Sequence, residues 1–366
     1  MAMMSVTVDN SRPELETEER TSFDLYSLDP LEDPRWVRFL ESCSQASIFH
    51  RVGWLEALRR TYGYTPVVFT TSPPQRELRN GFLCCEISTW FSPRRLVSVP
   101  FSDHLDSLTD RDSMQNLVSF LRNKVDTKVC QYLEVRPTFQ TDLSLIGLQK
   151  SATFYSHKIN LDRSLEEIYK SFHKDCVQRA MRRAARRKLT YTEGSSKELI
   201  DQFYGLLLLT HKRHGLPPQP ISWFYNLSQC LGDKFKVRVV SSDNVPVASI
   251  ITLTDKRSMV YKYGCSDAKY HNLGGMTLLL WQAIQEAHKA ELNEFDMGRT
   301  DCDDVGLIRF KDRWGATRGA LEYWAYPAKL RPDLNHRFLK AVRKIVSLLP
   351  PVMLIPAGRL LYRHLG

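Results

Sequence analysis

An α/β fold of two similar domains, each a mixed sheet flanked by helices, is what this sequence predicts. Three observations carry the prediction. One order of elements occurs twice along the chain, a glycine turn feeds an amphipathic helix in the second copy, and 366 residues suffice for two cores. With 43% hydrophobic and 25% charged residues, the chain reads as globular rather than disordered.

The first copy runs through "NGFLCCEIS", "RRLVSVPFSDHLDSL", "SMQNLVSFLRNKV" and "CQYLEVRP": strand, strand into loop, helix, strand. The second runs through "VPVASIITLTD", "SMVYKYGCSDAKYHNLGG", "MTLLLWQAIQEAHKAE" and "NEFDMGR" in the same order. Each final strand is short and ends at an arginine, Arg136 or Arg299. Identity between the copies is negligible, so the pattern alone makes the case.

The second helix shows Leu280, Ala283, Ile284 and Ala287 at i, i+3, i+4 and i+7, one apolar face. It follows Gly274-Gly275. A glycine turn entering a helix exposes unpaired N–H groups at the positive end of the helix dipole, which is an anion site. Between the copies, Ser164 and Glu167 make a capping box for a helix beginning "LEEIYKSF". In "HKDCVQRAMRRAARRKL", Val177, Ala180, Met181, Ala184 and Ala185 share a face. Arg179, Arg182, Arg183, Arg186 and Arg187 form a positive edge suited to phosphate. A further helix around Ile200, Phe203, Tyr204 and Leu207 leads into the stiff link "HGLPPQP".

The domain plan is therefore a disordered polar leader over 1–20, a first domain over 21–150, a second over 151–327 and a helical tail over 328–366. The tail is apolar, broken by prolines, and edged by Arg343, Lys344, Arg359 and Arg363. It suits packing on the protein's own body or peripheral contact with a membrane. The net charge of +10 and pI of about 9.2 point to an anionic partner: a phosphorylated cofactor, nucleic acid or an acidic membrane surface. The N-terminus lacks a signal-peptide pattern, and no stretch reaches the ~20 apolar residues of a membrane span. Eight cysteines without a C-x-x-C pair read as buried free thiols in a reducing cytoplasm. Asp301, Asp303 and Asp304 lack the further ligands of a metal site, so no metal is expected.

The ordered set "SFHKDCVQRAMRRAARRKL", "FYGLLLLTHKRHGLPPQPISWF", "VPVASIITL", "YKYGCSDAKYHNLGGMTLLLWQAIQEA", "FDMGRTD" and "GLIRFKDRWGA" resembles the FemAB-like acyltransferases. The resemblance is clear over residues 155–327. It extends less specifically to "GWLEALRRTYGYTP" and "VPFSDHLD". It implies tandem GNAT-like domains and transfer of an acyl or aminoacyl group from acyl-CoA or aminoacyl-tRNA to an amine. Founding members of that family build peptidoglycan cross-bridges from aminoacyl-tRNA; others are associated with cell-envelope or exopolysaccharide loci. A cytoplasmic enzyme, at most peripheral at the inner face of the membrane, follows from that likeness. The family's pyrophosphate loop corresponds here to His271, Gly274 and Gly275, a degenerate version with His at the basic position and Met276 at the last small one.

Amine acylation needs a neutral amine, a donor for the tetrahedral oxyanion, and two substrates held in line. By resemblance Lys311 is the substrate-contacting lysine, with Phe310 and Trp314 expected to place it in a cleft. Arg309 and Arg313 are candidate clamps for an anionic acceptor. Asp296, opposite Phe295 and Met297 on its strand, is a candidate base or amine anchor. Tyr261 and Tyr263 alternate with Lys262, which predicts a shared face and an acceptor pocket. "SDHLD" matches the family's first-domain loop, offering His104 as a base and Asp103 as a substrate or loop-capping group. The competing reading is a non-catalytic module that holds nucleic acid or anionic lipid on its arginine helix.

Overall fold

A computed structural model describes residues 24–89, 92–138, 142–327, 355–356, 358 and 361–363. The expected leader over 1–20 and most of the 328–366 tail lie outside the described residues.

The strands are β1 (Tyr26–Leu28), β2 (Thr65–Thr70), β3 (Phe82–Thr89), β4 (Ser92–Val97), β5 (Tyr132–Val135), β6 (Gln149–Asn160), β7 (Leu189–Gly194), β8 (Phe235–Ser242), β9 (Val245–Asp255), β10 (Ser258–Ser266), β11 (Glu294–Asp301) and β12 (Thr317–Tyr326). The helices are α1 (Pro34–Ser42), α2 (Val52–Tyr62), α3 (Arg111–Asp126), α4 (Leu165–Ser171), α5 (Arg179–Ala185), α6 (Lys197–His214), α7 (Ile221–Leu231), α8 (Gly275–Lys289) and α9 (Val305–Asp312). The strands join into one sheet, ordered β1-β2-β3-β4-β5-β12-β6-β11-β10-β9-β8-β7.

The duplicated plan is present. In the first half β3 pairs antiparallel with β4, and β4 pairs parallel with β5 through α3. In the second, β9 pairs antiparallel with β10, and β10 pairs parallel with β11 through α8. Each parallel contact is three residues long: Arg95–Val97 beside Tyr132–Glu134, and Ser258–Val260 beside Glu294–Asp296. Both pairs therefore separate early, and β10 and β11 run on apart to Ser266 and Asp301.

The local signals explain most helices. Ser164 and Glu167 form the expected capping box on α4. Leu280, Ala283, Ile284 and Ala287 are all fully buried on α8. A π-turn over Lys174–Gln178 buries Val177 and leads into α5, which buries Ala180 and Ala184, while all five arginines stay exposed. Ala185, expected on the apolar face, is exposed because α5 ends there and turns away.

The halves share a core. Residues of α1, α2, β3 and β4 pack with residues of α6, α7 and β8–β10 in one cluster. Trp54 of α2 meets Trp223 of α7 edge-on at 5.2 Å. Gly53 makes the approach close enough, since a Cβ there would collide with the Cys230 carbonyl. A second cluster lies on the other face, under α4, α5, α8 and α9. Of the eight cysteines, all free, Cys84, Cys85, Cys130 and Cys265 are buried, Cys43 and Cys230 half-buried, and Cys176 and Cys302 exposed. No helix among the described residues is long and apolar enough to cross a membrane.

Candidate active site

The site is built where β10 and β11 part. One extra residue bulges each strand there. On β10, Tyr261 and Tyr263 face Thr252 and Ile251, consecutive residues of β9, so Lys262 is the insertion. On β11, Asp296 and Arg299 face Lys158 and Ser156 of β6, and Gly298 supplies the left-handed φ of +74°. The bulges turn side chains out of simple alternation. Tyr261 and Tyr263 consequently do not share a face, contrary to the sequence expectation. Tyr261 packs into the core beneath α8, while Tyr263 joins the shared core and accepts from Trp223 Nε1 at 2.8 Å.

The first half sends the loop Phe101–Asp106 into this gap. Asp103 Oδ1 accepts from Lys262 Nζ at 3.0 Å, and Asp103 O accepts from Tyr323 Oη. Its Oδ2 faces Gly298, where a Cβ would lie 3.0 Å away. Burial opposes ionisation of Asp103, but Lys262 and Arg299 hold its pKa down at about 2. One residue on, His104 Nε2 lies 3.1 Å from Asp296 Oδ2, and Asp296 Oδ1 accepts from Gly298 N at 2.7 Å. Burial lowers the His104 pKa, yet the Asp296 carboxylate outweighs it and the net direction is up. Asp296 remains ionised: burial raises its pKa, and His104 and Lys158 more than reverse this. The pair spans the two halves and 192 positions of sequence.

Two cavities flank the loop on this face. One, of about 260 Å³, is lined by His104, Asp106, Asp296, Lys158 and Glu294 together with residues 44–47. The other, of about 300 Å³, is lined by Asp103, Lys262, Arg136, Arg299 and Tyr323, with Tyr362 of the tail as a wall. Tyr362 O accepts from Tyr64 Oη at 2.7 Å, so the tail returns to the first half.

Lys311 departs from its expected role. It lines neither cavity. Only 2% exposed, it reaches from α9 to the carbonyls of Gly298 (2.9 Å) and Arg299 (3.0 Å), tying down the bulge. Burial pushes its ammonium down to about 8. Its neighbour Asp312 pairs with Arg318 instead. Trp314 is likewise corrected from substrate residue to core: it is 1% exposed and packs on Phe172 at 5.0 Å. Arg309 and Arg313 are exposed on α9 and at its end, lining neither cavity. Asp304, from the acidic loop, caps α9 through Leu307 N.

The expected phosphate turn lies on the opposite face of the sheet. Gly274, with φ +79°, ends a 3₁₀ turn and starts α8 without a side-chain cap. His271 Nε2 lies 2.9 Å from Ser266 Oγ beside it. Packing also requires both glycines. A Cβ on Gly274 would press on Ala180 O and Ala184 Cβ of α5, and one on Gly275 on Ala248 of β9. The arginine helix is thus seated on the turn, and Arg179, Arg182, Arg183, Arg186 and Arg187 line a cleft of about 590 Å³. Sequence reading missed Arg136, Arg299, Lys262 and Tyr323 as site residues. The one signal was that both repeats end at an arginine.

Residues 171–323 match the family described as acetyltransferase (GNAT) domain. No curated protein matches by sequence. Among solved structures, FemX superposes with a TM-score of 0.64 at 13% identity, over 79% of this chain and 94% of that one. L-PGS from Bacillus licheniformis gives 0.55 at 15%, over 92% and 98%. A tandem GNAT protein from the clavulanic acid biosynthesis pathway gives 0.52 at 11%, over 83% and 98%. At these identities the likeness is one of fold, and that fold is the two-repeat sheet described above.

Proposed function

We propose that this protein, an acyltransferase of the FemAB-like tandem GNAT type, moves an acyl or aminoacyl group from acyl-CoA or aminoacyl-tRNA to an amine acceptor. The observation that carries the reading is the gap between β10 and β11, filled from one side by Asp103 and His104 of the other repeat. The donor approaches from the α8 face, with its phosphates at the Gly274 turn and its carbonyl in the gap. Backbone N–H groups on the β11-facing edge of Tyr261–Cys265 have no strand partner there, and they are the donors for the developing oxyanion. The acceptor approaches from the loop face. His104, oriented and charged favourably by Asp296, takes the proton as the amine attacks; the tetrahedral intermediate then collapses, and the donor's sulfur or ribose oxygen leaves with that proton. Asp103 anchors the amine, and Lys311 positions the bulge that holds the gap open.

The arginine edge supports aminoacyl-tRNA over coenzyme A. Its five residues together line one cleft of about 590 Å³, more than a single diphosphate needs. A cell-envelope or exopolysaccharide precursor is the acceptor this likeness favours, with the enzyme in the cytoplasm, at most peripheral at the inner face of the membrane. The test offers acyl-CoAs and charged tRNAs separately, each with an amine-bearing envelope precursor. Turnover with one donor class, lost in His104→Ala, is expected. No turnover with either, from folded protein, overturns the proposal. Salt-dependent RNA or vesicle binding without turnover would identify the anion-binding module instead.

A further inference from the structure

We infer that the 300 Å³ cavity is an acid-recognition subsite: Arg299, with Arg136 beside it, binds a carboxylate or phosphate carried by the amine acceptor itself. The inference rests on the proposed acyl transfer and specifies its acceptor class.

The two arginines that end the repeats' last strands meet at one ring. Arg136 lies 5.0 Å and Arg299 5.4 Å from the centre of Tyr323, on the strand joining the halves. Two like charges converging in a half-enclosed space cost energy unless anions offset them. Two of the cavity's three cations have carboxylates: Arg136 pairs with Glu134 at 2.7 Å and Lys262 with Asp103 at 3.0 Å. Arg299 has no carboxylate within ion-pair distance among the described residues. It gives one hydrogen bond, from Nη1 to Tyr323 Oη at 2.9 Å, and lies over Phe154 at 4.2 Å. A guanidinium has five N–H donors in a planar fork, so most of this one's capacity is unused beside a cavity. A forked cation next to a cavity of this size suits a bidentate oxyacid. Asp103, in the same wall, is the carboxylate lining this cavity and suits the acceptor's ammonium end before deprotonation. Opposite charges in one cavity match a ligand bearing an amine and an acid.

The test is direct binding by titration calorimetry with no donor present, so failure of turnover would not bear on it. The probes are O-phosphoethanolamine, 6-aminohexanoate and, as the acid-free control, ethanolamine. The first two separate a phosphate from a carboxylate ligand. At least one acid-bearing probe should bind about tenfold more tightly than ethanolamine. Arg299→Leu should abolish that preference and Arg299→Lys, which keeps charge and bulk, should retain part of it. The exposed-stripe variant with Arg182, Arg183, Arg186 and Arg187 all changed to Ala should bind as the parent does. Equal affinity for all three probes, no binding at millimolar concentration, or a preference that survives Arg299→Leu or vanishes in the stripe variant would overturn the assignment.

Discussion

Lys311→Met isolates the energetics of holding the bulge. In the native protein the ammonium is buried, and its pKa falls from 10.5 to about 8. That shift corresponds to about 3 kcal/mol against the charged form. Between about pH 8 and 10.5 the unfolded chain binds more protons than the folded one, so stability rises with pH across that window. Methionine removes this dependence. It also leaves the carbonyls of Gly298 and Arg299 without the lysine, a loss of about 1–3 kcal/mol. The two effects nearly offset one another at about pH 7.5, where the variant and parent should have similar stability. At about pH 9.5 roughly 2 kcal/mol of the parent's penalty has been relieved, and the parent should be the more stable by that amount. Urea unfolding of both proteins at the two pH values measures this as a difference of differences, which cancels every other titrating group. Parallel pH dependence in the two proteins would refute the reasoning.

Asp296→Asn should lower the His104 pKa, because the carboxylate that outweighs burial is gone; a histidine titration by NMR checks this, and an unchanged value contradicts the pairing. Gly53→Ala should cost about 1–3 kcal/mol, since the methyl meets the Cys230 carbonyl, a backbone atom that cannot step aside. Gly264→Ala should also destabilise, because the added Cβ runs into the Tyr261 ring; Tyr261→Ala in the same chain should recover part of the loss, and strict additivity would argue against the contact. Changing Arg182, Arg183, Arg186 and Arg187 to Ala should weaken tRNA binding and flatten its salt dependence, read by filter binding at several ionic strengths, while thermal stability stays near the parent's.

Much of the second repeat was legible because its signals are local. The α8 face, the capping box on α4 and the apolar run of β9 each follow from a few neighbouring residues. Asp296 was legible too, since alternation with Phe295 and Met297 put it on the opposite face. The bulge at Lys262 was not. An inserted backbone residue changes the phase of a strand without changing its composition, and the two tyrosines were accordingly misplaced. The aromatic neighbours of Lys311 suggest a cleft-lining residue, but Phe310 of α9 and Trp314 just beyond it pack on the core and the lysine turns inward with them. The meeting of Arg136 with Arg299 depends on β12, whose residues also carry Tyr323. Its partners, β5 and β6, are remote in sequence, so no short window reveals that it joins the halves.

That joining strand has a consequence for how the molecule is made. Among the strands of the sheet, β12 is the last to be synthesised, yet it sits in the middle. While the nascent chain ends before Thr317, β5 and β6 each present an open ladder, and nothing covers the seam between them. Exposed edges of this kind invite pairing with another chain. The halves are therefore not two folding modules tied together: like an arch, the structure waits on a keystone set last, and a ribosome that stalls before Thr317 leaves an unclosed sheet prone to aggregation instead of a working half.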